Sequence, residues 1–277
     1  MTASLPHCDT LVLSADGPVL SVTLNRPDVR NAMSLQMVAE LSAVFTRVAQ
    51  DRRFRAVVLR GAGGHFCAGG DIRDMASARG AGGNSDTTSG EDDPFYRLNR
   101  AFGRMIQQVN ESPCVVIAVL EGAVMGGGFG LACVSDLAIA GASARFAMPE
   151  TTLGVIPAQI APFVVERIGL TQARRLALLG LRIDGAEALA LGLVHQVADT
   201  DGTLTEALNQ AVERIRQCAP EATAQTKALL HRVGKEPMDA LLDDAAARFA
   251  DAIRGPEGTE GTAAFMQKRP PAWANEA

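Results

Sequence analysis

The stretch that most constrains this chain runs from Cys114 to Ser135. Cys114 to Leu120 is an apolar run of strand length. The triplet Gly126-Gly127-Gly128 follows, and small apolar residues continue to about Ser135. A strand with no polar face must be covered on both sides, and a glycine turn into a helix supplies one of the covering layers. Glycines there let the backbone approach a ligand closely, and the first amides of the helix lack intrahelical partners. They also sit at the positive end of the helix dipole, where developing negative charge is favoured.

The flanking segments repeat the theme. Val19 to Asn25 alternates as a strand and stops at Pro27, and Leu35, Val38, Leu41, Phe45 and Val48 carry helical spacing to about Gln50. Ala56 to Arg60 is a short strand, and Leu98, Phe102, Met105, Ile106 and Val109 mark a second helix ahead of Pro113. Leu137 to Ala140 and Ala144 to Ala147 are further strands. Strands alternating with helices predict an α/β fold with crossover connections. From about Thr203 no strand signal remains, and three or four helices follow, cut by Pro220, Pro237 and Gly255. The division expected is a catalytic core over 1–200 and a C-terminal helical region over 201–277. The stripe Leu204, Leu208, Val212, Ile215 has no visible partner within that region, which predicts packing between subunits. Ala78 to Pro94, rich in Gly, Ser and Asp, reads either as a loop beside the site or as a plain insert.

Composition removes whole classes of function. With 277 residues, 47% hydrophobic, the chain can bury one large core, and a net charge of -5 argues against nucleic acid or an anionic membrane as partner. No apolar stretch reaches the roughly 20 residues a membrane span needs. Five scattered cysteines without a C-x-x-C pair fit a reducing, cytoplasmic setting. The four histidines have no metal-ligand spacing, so no metal site is expected.

Two more segments carry possible chemistry: the glycine turn Gly64 to Asp71 (GHFCAGGD), and Pro149-Glu150, a carboxylate placed after two strands that can fold back over the glycine helix. A dinucleotide fold is the sharpest competitor, but GGGFG does not continue as G-x-G-x-x-G, and neither a P-loop nor a G-x-S-x-G elbow is present.

In combination these segments resemble the enoyl-CoA hydratase/isomerase (crotonase) superfamily. Asn25-Arg26-Pro27 with Asn31-Ala32 is similar to its N-R-P…N-A motif, and Phe66 to Asp71 to its F-x-A-G-x-D turn. Gly126-Gly127-Gly128 is similar to its glycine helix start, and Phe146 to Glu150 with Gly154 and Pro157 to its F-x-x-P-E…G…P segment. The resemblance implies a spiral of ββα units, a C-terminal helical region used in oligomerisation, and a homotrimer or hexamer. It implies an acyl-CoA thioester as substrate, with coenzyme A part of that substrate and no separate cofactor.

Carried over position by position, the oxyanion-hole amides are expected at Cys67 and Gly127, with Glu150 as the acid/base. Substrate contacts are expected from Arg26, Arg30, His65, Ala68, Gly69, Asp71, Gly126, Gly130, Phe249 and Lys268, the last two serving the adenine and the nucleotide phosphate. The family's second carboxylate falls on Gly130, where the missing side chain is expected to leave room for a branch at C3 of the substrate. One carboxylate permits hydration, in which Glu150 takes a proton from water and returns it to Cα, or isomerisation, in which it shuttles a proton from Cγ to Cα. Ile156-Pro157-Ala158-Gln159-Ile160-Ala161-Pro162-Phe163-Val164-Val165 resembles the corresponding run of bacterial glutaconyl-CoA hydratases. This favours hydration of isohexenylglutaconyl-CoA, of acyclic terpene catabolism, ahead of 3-methylglutaconyl-CoA, of leucine catabolism. For a distal substrate carboxylate, Arg73, Arg79 and Arg97 stand open as partners.

Overall fold

A computed structural model describes residues 4–71, 73–74 and 92–274. Two strands at the start, β1 (Leu11–Asp16) and β2 (Val19–Leu24), form an antiparallel hairpin. From β2 the sheet grows in parallel through β3 (Ala56–Gly61), β4 (Val115–Leu120), β6 (Leu137–Gly141) and β9 (Gln196–Ala198). A smaller sheet holds β5 (Ala123–Met125), β7 (Arg145–Ala147) and β8 (Arg182–Asp184).

The two sheets are built by one repeated path. The chain leaves the large sheet at β4, enters the small one at β5 and departs as helix α3 (Gly127–Val134). One turn later β6 leads to β7 and then towards α4 (Ala161–Leu179). One turn earlier β3 leads to the glycine turn, where Cys67 bridges Val124 of β5 in parallel. This is the ββα spiral expected from the sequence. It stacks the ends of successive short strands in a row: the glycine turn, the start of α3 and the segment after β7.

Local chemistry fixes where each element stops. Helix α1 (Leu35–Gln50) is capped by Ser34, whose Oγ accepts from the Met37 amide at 3.2 Å, and it buries Met37, Leu41, Val44 and Val48. Helix α2 (Pro94–Asn110) begins with Pro94 in its first turn, and Asp93 Oδ1 accepts from the Phe95 amide at 2.8 Å. The polar stretch read as Ala78 to Pro94 therefore closes as a helix start, while 78–91, with Arg79, lie outside the described residues. Helices α1, α2, α3 and α4 contribute to one large apolar core with the inward face of the large sheet.

After the short α5 (Gly185–Ala190), four helices follow: α6 (Asp201–Gln217), α7 (Pro220–Leu230), α8 (Met238–Arg254) and α9 (Pro256–Met266). The stripe on α6 is not left for another subunit. Leu204, Leu208, Val212 and Ile215 pack on the outer face of the same chain's sheet, against Val58, Ile117, Val119 and Ile139. Buried Arg55 at the head of β3 locks this layer, donating to the carbonyls of Ile215, Arg216, Cys218 and Trp273. No helix among the described residues is long and apolar enough to cross a membrane.

Candidate active site

A cavity of about 480 Å³ opens between α1, α2 and the segment Val155–Ile160. Met33, Leu35, Val38, Leu98, Phe102 and Ile160 make most of its wall apolar, and Gly70, Gly127 and Glu150 meet in its lining. All three come from the row of strand ends that the spiral stacks. The Gly126 amide donates to the Ala147 carbonyl at 3.1 Å, which ties the start of α3 to the segment bearing Glu150.

Two glycines of this row hold positive-φ backbone that a side chain would strain. Gly126 has φ 50° and ψ −115°, and a Cβ there would stand 3.1 Å from Glu150 Oε1. Gly69 has φ 104°, with the Met125 carbonyl oxygen 3.5 Å from where its Cβ would be. At Gly69 the constraint is the backbone angle, and at Gly126 it is both the angle and the close approach of the Glu150 carboxylate.

Glu150 opens a short 3-10 turn (Glu150–Leu153), whose geometry is set by Gly154 and Val155 amides donating around Glu150 and Thr151 carbonyls. Its Oε2 is buried and has no hydrogen-bond partner among the described residues. Burial pushes the carboxyl above its ordinary value, only partly opposed by its own backbone amide. A half-buried carboxylate with one buried, unpartnered oxygen is costly in a fold and suited to moving protons.

The structure corrects the expected oxyanion donors at one position. The Cys67 amide donates to the Ala123 carbonyl at 2.8 Å, so it is committed to the bridge with β5 and cannot serve a ligand. In the same turn the Phe66, Ala68 and Asp71 amides donate to Glu121, Arg30 and Met33 carbonyls, and the Gly69 amide faces Cys67 Sγ. Gly70 is left: its amide has no partner among the described residues, and it lines the cavity beside Gly127. Sequence spacing missed it because the partners that use up the neighbouring amides lie on two distant segments, around 30–33 and 121–123. The Cys67 thiol is buried and pushed up to about 11 by that burial, so it is a packing group.

Gly130 is a second correction. It is buried, and the space beyond it is filled: a Cβ would run into Ile160 Cγ2 and come within 2.8 Å of Ile106 Cδ1. No room for a substrate branch exists there, and Gly130 does not line the cavity.

Other expected contacts turn out to support the site. Arg26 forms an ion pair with Asp71 at 2.7 Å and also donates to the Ala32 carbonyl. Asp71 pays a desolvation cost for its burial, but the Arg73 amide and the Arg26 guanidinium outweigh it and hold the carboxyl below its ordinary value. His65 accepts from the Ala123 amide through Nδ1 at 3.1 Å and, through its carbonyl, from Asn31. Arg26 and His65 therefore fasten the turn and do not line the cavity, whereas Asp71 does both. Ala68 is half-buried with its amide spent on Arg30. The side chains of Arg30, Phe249 and Lys268 are exposed and outside the cavity lining, as are those of Arg73 and Arg97. No cluster of metal-ligating side chains occurs among the described residues.

The family model for enoyl-CoA hydratase/isomerase matches residues 14–276. The crystal structure of an enoyl-CoA hydratase/isomerase from Marinobacter aquaeolei is 73% identical, with TM-score 0.93, covering 97% of this chain and 100% of its own. AtuE of Pseudomonas aeruginosa is 57% identical, with TM-score 0.92, covering 96% and 100%. Mevalonyl-coenzyme A hydratase SIDH of Beauveria bassiana is 32% identical over 272 residues, 96% of this chain and 94% of its own length.

Proposed function

The chain belongs to the enoyl-CoA hydratase/isomerase family, and from that premise we propose that it hydrates a branched glutaconyl-type enoyl-CoA, isohexenylglutaconyl-CoA first and 3-methylglutaconyl-CoA second. The observation that carries this reading is Glu150: a half-buried carboxylate whose Oε2 is buried and unpartnered among the described residues, in a cavity that also presents the Gly70 and Gly127 backbones. In the proposed reaction the thioester oxygen accepts hydrogen bonds from these two amides. Ionised Glu150 takes a proton from water as its oxygen bonds to C3, and the electron pair of the double bond moves to the thioester as an enolate. The amides hold that charge until Glu150 returns the proton to Cα. One carboxylate suffices because the two proton transfers are sequential. The apolar wall supports an apolar tail, and about 480 Å³ falls within the usual range for a small-molecule site.

For the coenzyme A moiety, Arg30 and Lys268 are proposed partners of the phosphates and Phe249 of the adenine. Their exposure supports contact with a ligand lying on the surface or across a subunit boundary. A homotrimer or hexamer is proposed, supported by apolar side chains left bare on α8 and α9: Phe249 is 70% exposed and Phe265 86%. The free cysteines Cys8, Cys67, Cys114, Cys133 and Cys218 support a cytoplasmic, reducing setting.

A single carboxylate equally suits double-bond isomerisation. The test compares isohexenylglutaconyl-CoA, 3-methylglutaconyl-CoA, crotonyl-CoA and a 3-enoyl-CoA, following absorbance of the conjugated thioester in ¹⁸O-labelled water. Fastest loss of absorbance on a glutaconyl substrate, with label at C3, is expected. Fastest turnover of the 3-enoyl-CoA without label would replace hydration by isomerisation.

A further inference from the structure

The wall of the same cavity carries a chain of polar side chains that the proposed reaction does not use. Gln159 and Asn99 both line the cavity, and Gln159 Nε2 donates to Asn99 Oδ1 at 2.8 Å. On its other side, Gln159 Oε1 faces Arg100 Nη1 at 3.5 Å. The cation fixes the sense of the chain: Gln159 must turn its oxygen to Arg100 and its nitrogen to Asn99. Asn99 Oδ1 is then occupied, and Asn99 Nδ2 remains as a donor with no partner among the described residues.

Gly103, one turn further along α2, provides the seat. A Cβ at that position would overlap the Gln159 carboxamide, lying 2.6 Å from its Cδ, and would come 2.8 Å from Arg100 Nη1. Of the acidic residues in the lining, Asp71 is paired with Arg26, while Asp74 Oδ2 accepts from the Leu35 amide and Asp93 caps α2. Asp74 and Asp93 remain acidic groups of the wall but sit at helix N-termini, which partly compensate their charge. What Gln159 and Asn99 add to the wall is a donor backed by a guanidinium.

We propose that Asn99, oriented by Gln159 and Arg100 over Gly103, is a specificity subsite that takes a carboxylate on the acyl chain of the substrate. This rests on the hydratase reading above and names the group that distinguishes its substrates from simple enoyl-CoAs. Asn99 touches the ligand; Gln159 and Arg100 act through it as positioning residues.

The test uses equilibrium binding of saturated thioesters, which needs no turnover. Isothermal titration of the full-length protein with glutaryl-CoA and butyryl-CoA should show the carboxylated ligand preferred by about 10- to 100-fold, the size expected for a hydrogen bond to a charged group. Asn99→Asp, which keeps the shape but removes the donor, should bring that ratio to about one or below. Gly103→Ala should displace the Gln159 carboxamide and reduce the ratio, with circular dichroism confirming that the protein stays folded. Equal affinity of the wild type for both thioesters, or a ratio unchanged in both variants, overturns the subsite. So does an equal loss of both affinities, which would mark a structural role. Absence of hydration in a protein that still prefers glutaryl-CoA removes the reaction and leaves the subsite standing.

Discussion

In the proposed hydration, Glu150 and the backbone around it carry the chemistry residue by residue. Glu150→Gln should lower turnover at least about 10²- to 10⁴-fold, while acyl-CoA affinity stays within a few-fold, because the amides still hold the thioester. The pH dependence follows from the direction of its shift. Burial raises the carboxyl, and hydration begins from the ionised form, so kcat/KM should fall about tenfold per pH unit below an inflection lying above the ordinary carboxylate value. The stability consequence has the opposite sense to that of a salt-bridged acid. A folded-state value above the unfolded one means the ionised form costs stability at higher pH. Glu150→Gln should therefore unfold no earlier than wild type at pH 8, as a thermal melt would show, and an earlier melt would contradict the burial argument. The oxyanion donors are tested by a pair of variants. Gly127 is the first residue of α3, where the backbone accepts proline, although a side chain there meets the Phe102 ring at 3.2 Å; Gly127→Pro deletes one amide and should lower kcat about 10²- to 10³-fold in a protein whose fold is checked by circular dichroism. Cys67→Ala keeps an amide that is already spent on Ala123 and should change kcat by less than about threefold, far below the effect of removing a donor. A large loss from Cys67→Ala in a folded protein would restore a role for that position.

At the level of elements, the site is a product of packing between α3, α2 and the Val155–Ile160 segment. Gly130 lies on the face of α3 that meets Ile160 and Ile106, and helix-to-helix distance there is set by the missing side chain. Gly130→Ala should cost about 1–3 kcal/mol in denaturant unfolding through overpacking. Gly130→Glu should fail to rebuild a two-acid site and should destabilise further, since the carboxylate would be buried among isoleucines without a partner. Stability equal to wild type in Gly130→Glu, with faster crotonyl-CoA hydration, would show that the space is available after all.

For the whole molecule, the apolar surface left on α8 and α9 contrasts with α6, whose stripe is consumed within the chain. Sedimentation equilibrium at micromolar protein should give a homo-oligomer of three or six chains; a monomer would mean that the exposed Phe249, Phe265 and Met266 serve another purpose. Much of the architecture was legible in the chain. Val19 to Asn25, Ala56 to Arg60, Cys114 to Leu120 and the helices after Ser34 and before Pro113 lie where their periodicity puts them, because alternation and helical spacing record which face is buried. The short strands β5, β8 and β9, of three residues each, left no such record. Glu150 and the glycine helix start were reached through their motifs, the F-x-x-P-E segment and the glycine triplet, and the structure brings Glu150 and Gly127 to one cavity. What the tertiary structure alone decided is which groups are spent and which are free. Cys67 and Gly70 lie three residues apart in one turn, yet only one amide is spared, because hydrogen-bond partners arrive from Arg30, Met33 and Ala123. Gly130 looks like an opening in the sequence and is closed by Ile160, thirty residues on. Vacancy and availability are properties of neighbours in space, and a linear pattern carries no information about them.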